Sequence, residues 1–174
     1  MLPKTIQREP EPWVIVALGS NLGDSKRVLS EALGALGAFA SGPVRRSSLW
    51  RSAPEDCPAG SPDFVNAVAV FLPAAGLTPE GLLTQLQALE RAAGRRPKLV
   101  MNEPRPLDLD IIAFGGALVD RPELKVPHPR ARVRRFVLEP LAEVLPGYVL
   151  PGSERTVERL LEALPVGDRL ERIA

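Results

Sequence analysis

The spacing of apolar residues changes several times along the chain, and each change marks an element. Residues 13–20, "WVIVALGS", hold an unbroken apolar run from Trp13 to Leu18 before a glycine, the pattern of a buried strand. From Asp24 the period becomes helical, with Val28, Leu29, Ala32, Leu33, Leu36 and Phe39 on one stripe and Asp24 or Ser25 placed to cap it. "GPV" ends that helix, and Val44 to Trp50 reads as a second strand of mixed polarity. Residues 52–63, "SAPEDCPAGSPD", are dense in Pro, Gly, Ser and Asp and predict a long loop, of a length that often forms a functional lid. "FVNAVAVFL" follows as a strand continuous enough to be buried.

The clearest helix is "TPEGLLTQLQALERAAG". Thr78 caps it, Pro79 fills its first turn, Leu82, Leu83, Leu86 and Leu89 form its inner stripe, and Gly94 stops it. A basic loop, residues 95–106, leads into the strand "LDLDIIAF", and "GGALV" begins a hairpin. "VPHPRARVRRFVLEPLAEVLP" predicts a short helix interrupted or kinked by Pro140, and a last helix runs from Thr156 to about Leu164 with Leu160, Leu161 and Leu164 inward. Residues 1–11 read as a loose lead-in.

The order βαββαβ plus an appendage predicts an α+β ferredoxin-like sandwich, with helices on one face of an antiparallel sheet and an extra C-terminal hairpin and helices. Both long loops run straight into strands, so they are expected to converge at one end of the sheet. A length of 174 residues suits one domain with a full core. A net charge of +1 gives no field drawing the chain to nucleic acid or membrane, and no apolar run is long enough to span a bilayer. No signal-peptide pattern opens the chain, and the single Cys57 excludes an internal disulfide, so a soluble cytoplasmic protein is expected, a monomer or at most a weak dimer.

The chemistry concentrates in "RPLDLDII", residues 105–112. On a strand Leu107, Leu109 and Ile111 share one face, and Asp108 and Asp110 share the other. Two carboxylates side by side on one face repel unless positive charge lies between them, supplied by Arg105, a lysine or a divalent metal. The apolar flanks make unpaired carboxylates expensive, and Mg2+ is commonly held by one or two carboxylates plus substrate phosphates, which favours the metal. Arg95, Arg96, Lys98 and Arg105 precede the acidic strand, while Arg130, Arg132, Arg134 and Arg135 follow His128. Two basic clusters around an acidic pair suit a polyphosphate, which guanidinium groups grip in bidentate fashion. His128, the only histidine, is framed by two prolines and reads as a structural residue or a phosphate donor. Asn66 needs partners inside a buried strand, and a flat heterocycle held between Phe64 and Phe136 would satisfy it. "ALGSNLGD", residues 17–24, is a tight strand-to-helix turn without either standard phosphate-loop pattern, and Asn21 reads as structural.

Taken together, "ALGSNLGD", "DFVNAVAV", "RPLDLDII" and "VPHPRARVRRFVLEPLAE" resemble the 6-hydroxymethyl-7,8-dihydropterin pyrophosphokinases of folate biosynthesis, over about Trp13 to Gly152. The resemblance implies pyrophosphate transfer from ATP to the pterin hydroxymethyl group, with release of AMP. It implies two Mg2+ ions on Asp108 and Asp110, a pterin held by Phe64, Asn66 and Phe136, and ATP contacts or transfer support from Arg95, Arg105, His128 and Arg134, with Lys98 beside them. Glu90 matches a carboxylate near the nucleotide. Two departures stand out. Asn102 and Glu103 replace the tryptophan and glycine of the family's R-W-G-P-R, and Pro97 replaces the second arginine of its G-R-x-R, with Arg96 or Lys98 as substitutes. An RNA-binding domain and an inactive ligand sensor are the rival readings, the first lacking any RNP-like aromatic motif at 5% aromatic content.

Overall fold

The structure is a computed structural model. It describes residues 11–167 and 170–174, so that of the expected lead-in all but Glu11 lies outside the described residues. Its organising strand is β1 (Val14–Ser20), which pairs antiparallel with β4 (Phe64–Phe71) on one side and β5 (Asp108–Phe114) on the other. The sheet order is β5-β1-β4-β3-β8, with β2 (Arg45–Arg46) also on β4, β3 spanning Trp50–Ser52 and β8 Leu170–Arg172. Hydrogen-bonded neighbours are therefore the first, fourth and fifth strands, the arrangement expected of a ferredoxin-like sandwich.

Alternation decides which helix meets which face. Val14, Val16, Leu18, Ala67, Ala69, Phe71, Leu109 and Ile111 point to one side and pack on α1 (Ser25–Ala35) and α2 (Pro79–Ala92) through Leu29, Leu33, Leu82 and Leu86. Asp24 caps α1 by accepting from the Arg27 N–H, and Thr78 caps α2 by accepting from the Gly81 N–H. On the other side Ile15, Val68, Val70, Ile112 and Ala113 pack on α3 (Arg135–Val144) and α4 (Val157–Ala163). The register of β1 against β5 shifts by one residue, because Ile15 faces Ala113 while Val16 faces Ile111. Ile112 is the extra residue, which lets Ile111 serve one core and Ile112 with Ala113 the other.

The C-terminal part thus differs from an appendage on a one-sided sandwich. Its helices form a second layer, since the sheet's other face is apolar too and needs covering. α3 also runs unbroken through Pro140, which is buried with Val137, Leu138 and Leu141 along the same stripe. The single lost backbone bond is outweighed by that packing. The strand expected over Val44 to Trp50 is split into β2 and β3. Ser47 causes the break: its hydroxyl accepts the Val68 N–H at 2.9 Å and donates to the Ser48 carbonyl at 2.8 Å, diverting the ladder. The hairpin after "GGALV" is present as β6 (Val119–Arg121) and β7 (Leu124–Val126). Among the described residues no helix is long and apolar enough to cross a membrane.

If α3 is core, Leu138, which is fully buried, cannot be trimmed cheaply. Leu138→Ala is expected to cost about 2–5 kcal/mol in urea unfolding with an unchanged denaturant slope. A loss below about 0.5 kcal/mol, the size typical of a surface change, would contradict the second layer.

Candidate active site

The middle strand makes room for the site by having almost no side chains there. On the α3 face of β1, side chains shrink from Ile15 to Ala17 to Gly19. Gly19 lies opposite Asn66 on β4 and Asp108 on β5, and Ala17 lies opposite Val68 and Asp110. A Cβ at position 19 would stand 3.5 Å from the Phe64 ring and 3.7 Å from the Asn66 Oδ1, inside the space between the flanking strands. The result is a trough with Phe64 and Asn66 on one wall, Asp108 and Asp110 on the other, and Phe136 and Val137 of α3 above. The decline in size on one strand face is visible in "IVALG", although no residue type there marks a site.

Each polar group in the trough has a defined setting. The Asn66 amide, 4% exposed, donates to Ser52 Oγ at 2.8 Å and to the Trp50 carbonyl at 3.3 Å. Arg105 lies over the Phe64 ring at 5.4 Å from its centre, and Arg134 lies over Phe136 at the same distance. Asn21 holds the strand ends together. Its Oδ1 accepts the Arg105 N–H at 2.9 Å, its own N–H donates to the Arg105 carbonyl at 3.2 Å, and its Nδ2 donates to the Pro62 carbonyl at 3.4 Å. One side chain therefore joins both long loops to the β1 turn, the structural role its sequence position suggested.

On the acidic wall, Asp108 receives Arg95 at 2.8 Å on one oxygen and Arg105 at 3.2 Å on the other. Arg95 in turn pairs with the buried Glu90 of α2. Of the three candidates for the charge beside the acids, the protein itself supplies arginine. Asp110 is treated differently. Burial, then the neighbouring Asp108 charge, push its carboxyl up to about 7, against the opposing pull of Arg134, Arg105 and Arg95. Arg105 keeps two buried donors, Nε and Nη1, without a protein partner among the described residues. Buried guanidinium donors left so carry a desolvation cost that an anionic ligand would remove.

Past the acids the trough opens into a wider basic cleft. Glu90, Arg95, Lys98, His128 and Arg134 line it, and Arg105, Asp108 and Asp110 form the wall it shares with the trough. Gln87 and Arg91 on the exposed side of α2 also line it, residues the sequence alone did not single out, as does the half-buried Leu83 of the inner stripe. His128 is held to β5 by its N–H on the Ile112 carbonyl at 2.9 Å, and its Nδ1 accepts the Arg130 N–H at 3.2 Å. That contact leaves Nε2 to carry the proton. Burial, with Arg134 beside it, brings the imidazole down to about 4, so His128 is a neutral donor at physiological pH.

The two long loops meet over the trough. Asn102, with a left-handed φ of 55°, donates through Nδ2 to the Asp56 carbonyl at 2.7 Å. The amide thus bridges the loops at the position where the resemblance leads one to expect a tryptophan. Among the described residues no cluster of three or more His, Cys, Asp or Glu side chains is arranged to hold a metal. The donor set fits Mg2+ nonetheless, because two carboxylates beside an arginine-lined cleft that suits phosphates are the usual protein share of a Mg2+–nucleotide site.

Comparison with known proteins shows which family the chain resembles. The family model for 7,8-dihydro-6-hydroxymethylpterin-pyrophosphokinase (HPPK) matches residues 15–146. A 2-amino-4-hydroxy-6-hydroxymethyldihydropteridine pyrophosphokinase of Pseudomonas aeruginosa is 43% identical over 92% of this chain and 96% of its own length. The protein of the same name from Synechocystis sp. is 36% identical over 85% of this chain and 74% of its own. Among solved structures, a variant of Plasmodium falciparum HPPK-DHPS superposes with a TM-score of 0.70 at 13% identity, covering 90% of this chain, which itself spans only 46% of that longer chain. The chain belongs to the 7,8-dihydro-6-hydroxymethylpterin-pyrophosphokinase family, the transferases that pass pyrophosphate to hydroxymethyldihydropterin in folate biosynthesis.

Proposed function

We propose that the trough takes the pterin, the basic cleft takes ATP, and Asp108 with Asp110 holds two Mg2+ ions where the two substrates meet. The observation that carries this reading is the shared wall: one acidic strand separates an aromatic and amide-lined trough from an arginine-lined cleft. Phe64 and Phe136 stack on the ring system, and Asn66 reads its edge. Arg95, Arg105, Arg134 and Lys98 neutralise the polyphosphate, and His128 donates from Nε2 to a phosphate oxygen. Glu90 fixes Arg95 in place.

In the reaction the pterin hydroxyl oxygen attacks the β-phosphorus. A new O–P bond forms, the hydroxyl proton is released, and the bond from the β-phosphorus to the oxygen bridging to the α-phosphate breaks, so that AMP leaves with that electron pair. Negative charge builds on the bridging and non-bridging oxygens. Arginine donors already fixed at the wall stabilise it without reorganising, and catalysis consists of positioning plus electrostatics. Bound Mg2+ supplies Lewis-acid stabilisation of the same oxygens. The Asn102 bridge draws the two loops over the trough and limits water there. Helices cover both faces of the sheet, which leaves no open aromatic face for stacking RNA bases. The same proposal takes the chain as a single domain working as a cytoplasmic monomer.

Asp108→Asn and Asp110→Asn are each expected to lower AMP formation from ATP and the dihydropterin by roughly a thousandfold with Mg2+ present, while circular dichroism stays native. Normal turnover by both variants would sink the metal assignment.

A second expectation concerns pH in the ligand-free protein. Folded Asp110 keeps its proton to about 7, whereas the ordinary carboxyl value is 3.8. Between those values the folded state binds the extra proton, so its stabilising effect is complete below 3.8 and is lost as pH rises through 7. Relative to Asp110→Asn, the wild-type protein should lose unfolding free energy on going from pH 5 to pH 7. An identical difference between the two proteins at both pH values would show that Asp110 ionises as an ordinary surface acid.

A further inference from the structure

Ser52, expected as the first residue of the 52–63 loop, is instead the last residue of β3 and is 8% exposed. Its hydroxyl oxygen accepts the Asn66 amide N–H at 2.8 Å, the shorter of that amide's two bonds. The other acceptor, the Trp50 carbonyl at 3.3 Å, cannot donate, so the atom facing it must be the amide nitrogen. Register brings both acceptors to the same place, since Trp50 pairs with Asn66 and Ser52 with Phe64. Both N–H bonds of the amide therefore turn toward β3, and its oxygen turns toward Gly19 and the trough. On the outer side β8 pairs with β3, Ser52 opposite Leu170 and Trp50 opposite Arg172, which keeps the strand from fraying at this edge.

An unrestrained asparagine offers a ligand either its oxygen or its nitrogen, whichever suits. Held as here, Asn66 offers only an acceptor. We propose that Ser52 is a positioning residue that locks the orientation of the Asn66 amide, and so makes the trough select a heterocycle edge built of N–H donors over an edge of bare acceptors. The proposal rests on the reading of the trough as the pterin site and adds the device that sets its polarity. Ser52 touches no reacting atom, so its loss acts on pterin recognition and not on the transfer step.

Steady-state kinetics of the full chain with ATP, Mg2+ and the dihydropterin test this. Ser52→Ala should raise the pterin KM about tenfold, the size of one neutral hydrogen bond, with kcat within about twofold and the ATP KM unmoved. Ser52→Thr, which keeps the hydroxyl, should return the pterin KM to within about twofold of wild type. Ser52→Cys keeps the volume but accepts poorly, and should behave like the alanine variant even if the smaller residue unsettles the fold. An unchanged pterin KM in both Ser52→Ala and Ser52→Cys overturns the proposal, as does a fall in kcat with a parallel rise in both KM values, which marks a merely structural residue. Asn66→Ala separates the two levels. If it raises the pterin KM while the Ser52 variants do not, only the role of Ser52 falls. If it too leaves the pterin KM unchanged, the pterin reading of the trough falls with it.

Discussion

The carboxylate of Asp108, gripped by Arg95 on one oxygen and Arg105 on the other, is the interaction on which the site depends. Its two partners arrive from different parts of the fold. Arg95 follows the end of α2 and is braced by Glu90, while Arg105 enters from the loop ahead of β5 and is braced by Asn21. One acidic group thus ties a helix, a strand and the β1 turn at a single point. Asp110, one step further on the same strand face, gets no such grip and holds its proton to about 7. The pair is unequal because burial and mutual repulsion allow only one carboxylate to be fully compensated by the arginines present. In the proposed reading, a polyphosphate arriving with Mg2+ would supply the missing positive charge on the acids and, at the same time, acceptors for the two buried Arg105 donors.

That electrostatic arrangement works only because the sheet gives it depth. Side chains on β1 dwindle to glycine where the trough adjoins the acidic strand, and the neighbouring strands carry the aromatic, amide and acidic groups at matched register. The trough is closed from above by α3, whose apolar stripe is committed to the sheet through Val137, Leu138 and Leu141. A rigid floor, two functional walls and a packed roof keep the polar groups in place before any ligand arrives, which is the condition for electrostatic stabilisation without reorganisation.

Much of this was legible in the chain itself. The alternation in "LDLDII" separates the leucines from the acids, and the structure places Leu109 and Ile111 in one core with Asp108 and Asp110 lining the opposite face. Caps at Asp24, Thr78 and Thr156 lie where the residue types indicate. What periodicity does not encode is the partner of an apolar stripe. The residues of α3 announce an amphipathic helix but not the sheet face it covers, so from sequence the second layer looks like an appendage. β8 escaped notice because "LERI" has neither alternation nor length, and its pairing is set by the exposed edge of β3. The split between β2 and β3 depends on one serine hydroxyl entering the ladder, a choice that a mixed-polarity stretch does not reveal. Within the site, charged and aromatic residues drew attention by type, whereas Gly19 and Ser52 act through absence of a side chain and through a small hydroxyl.

Paramagnetic relaxation by Mn2+ in place of Mg2+ tests the central electrostatic claim most directly. With a non-hydrolysable ATP analogue present, amide resonances of Asp108, Leu109 and Asp110 are expected to broaden first, and Asp110→Asn should abolish the effect. Broadening centred elsewhere, or unaltered in that variant, would contradict a metal seated on the β5 acids.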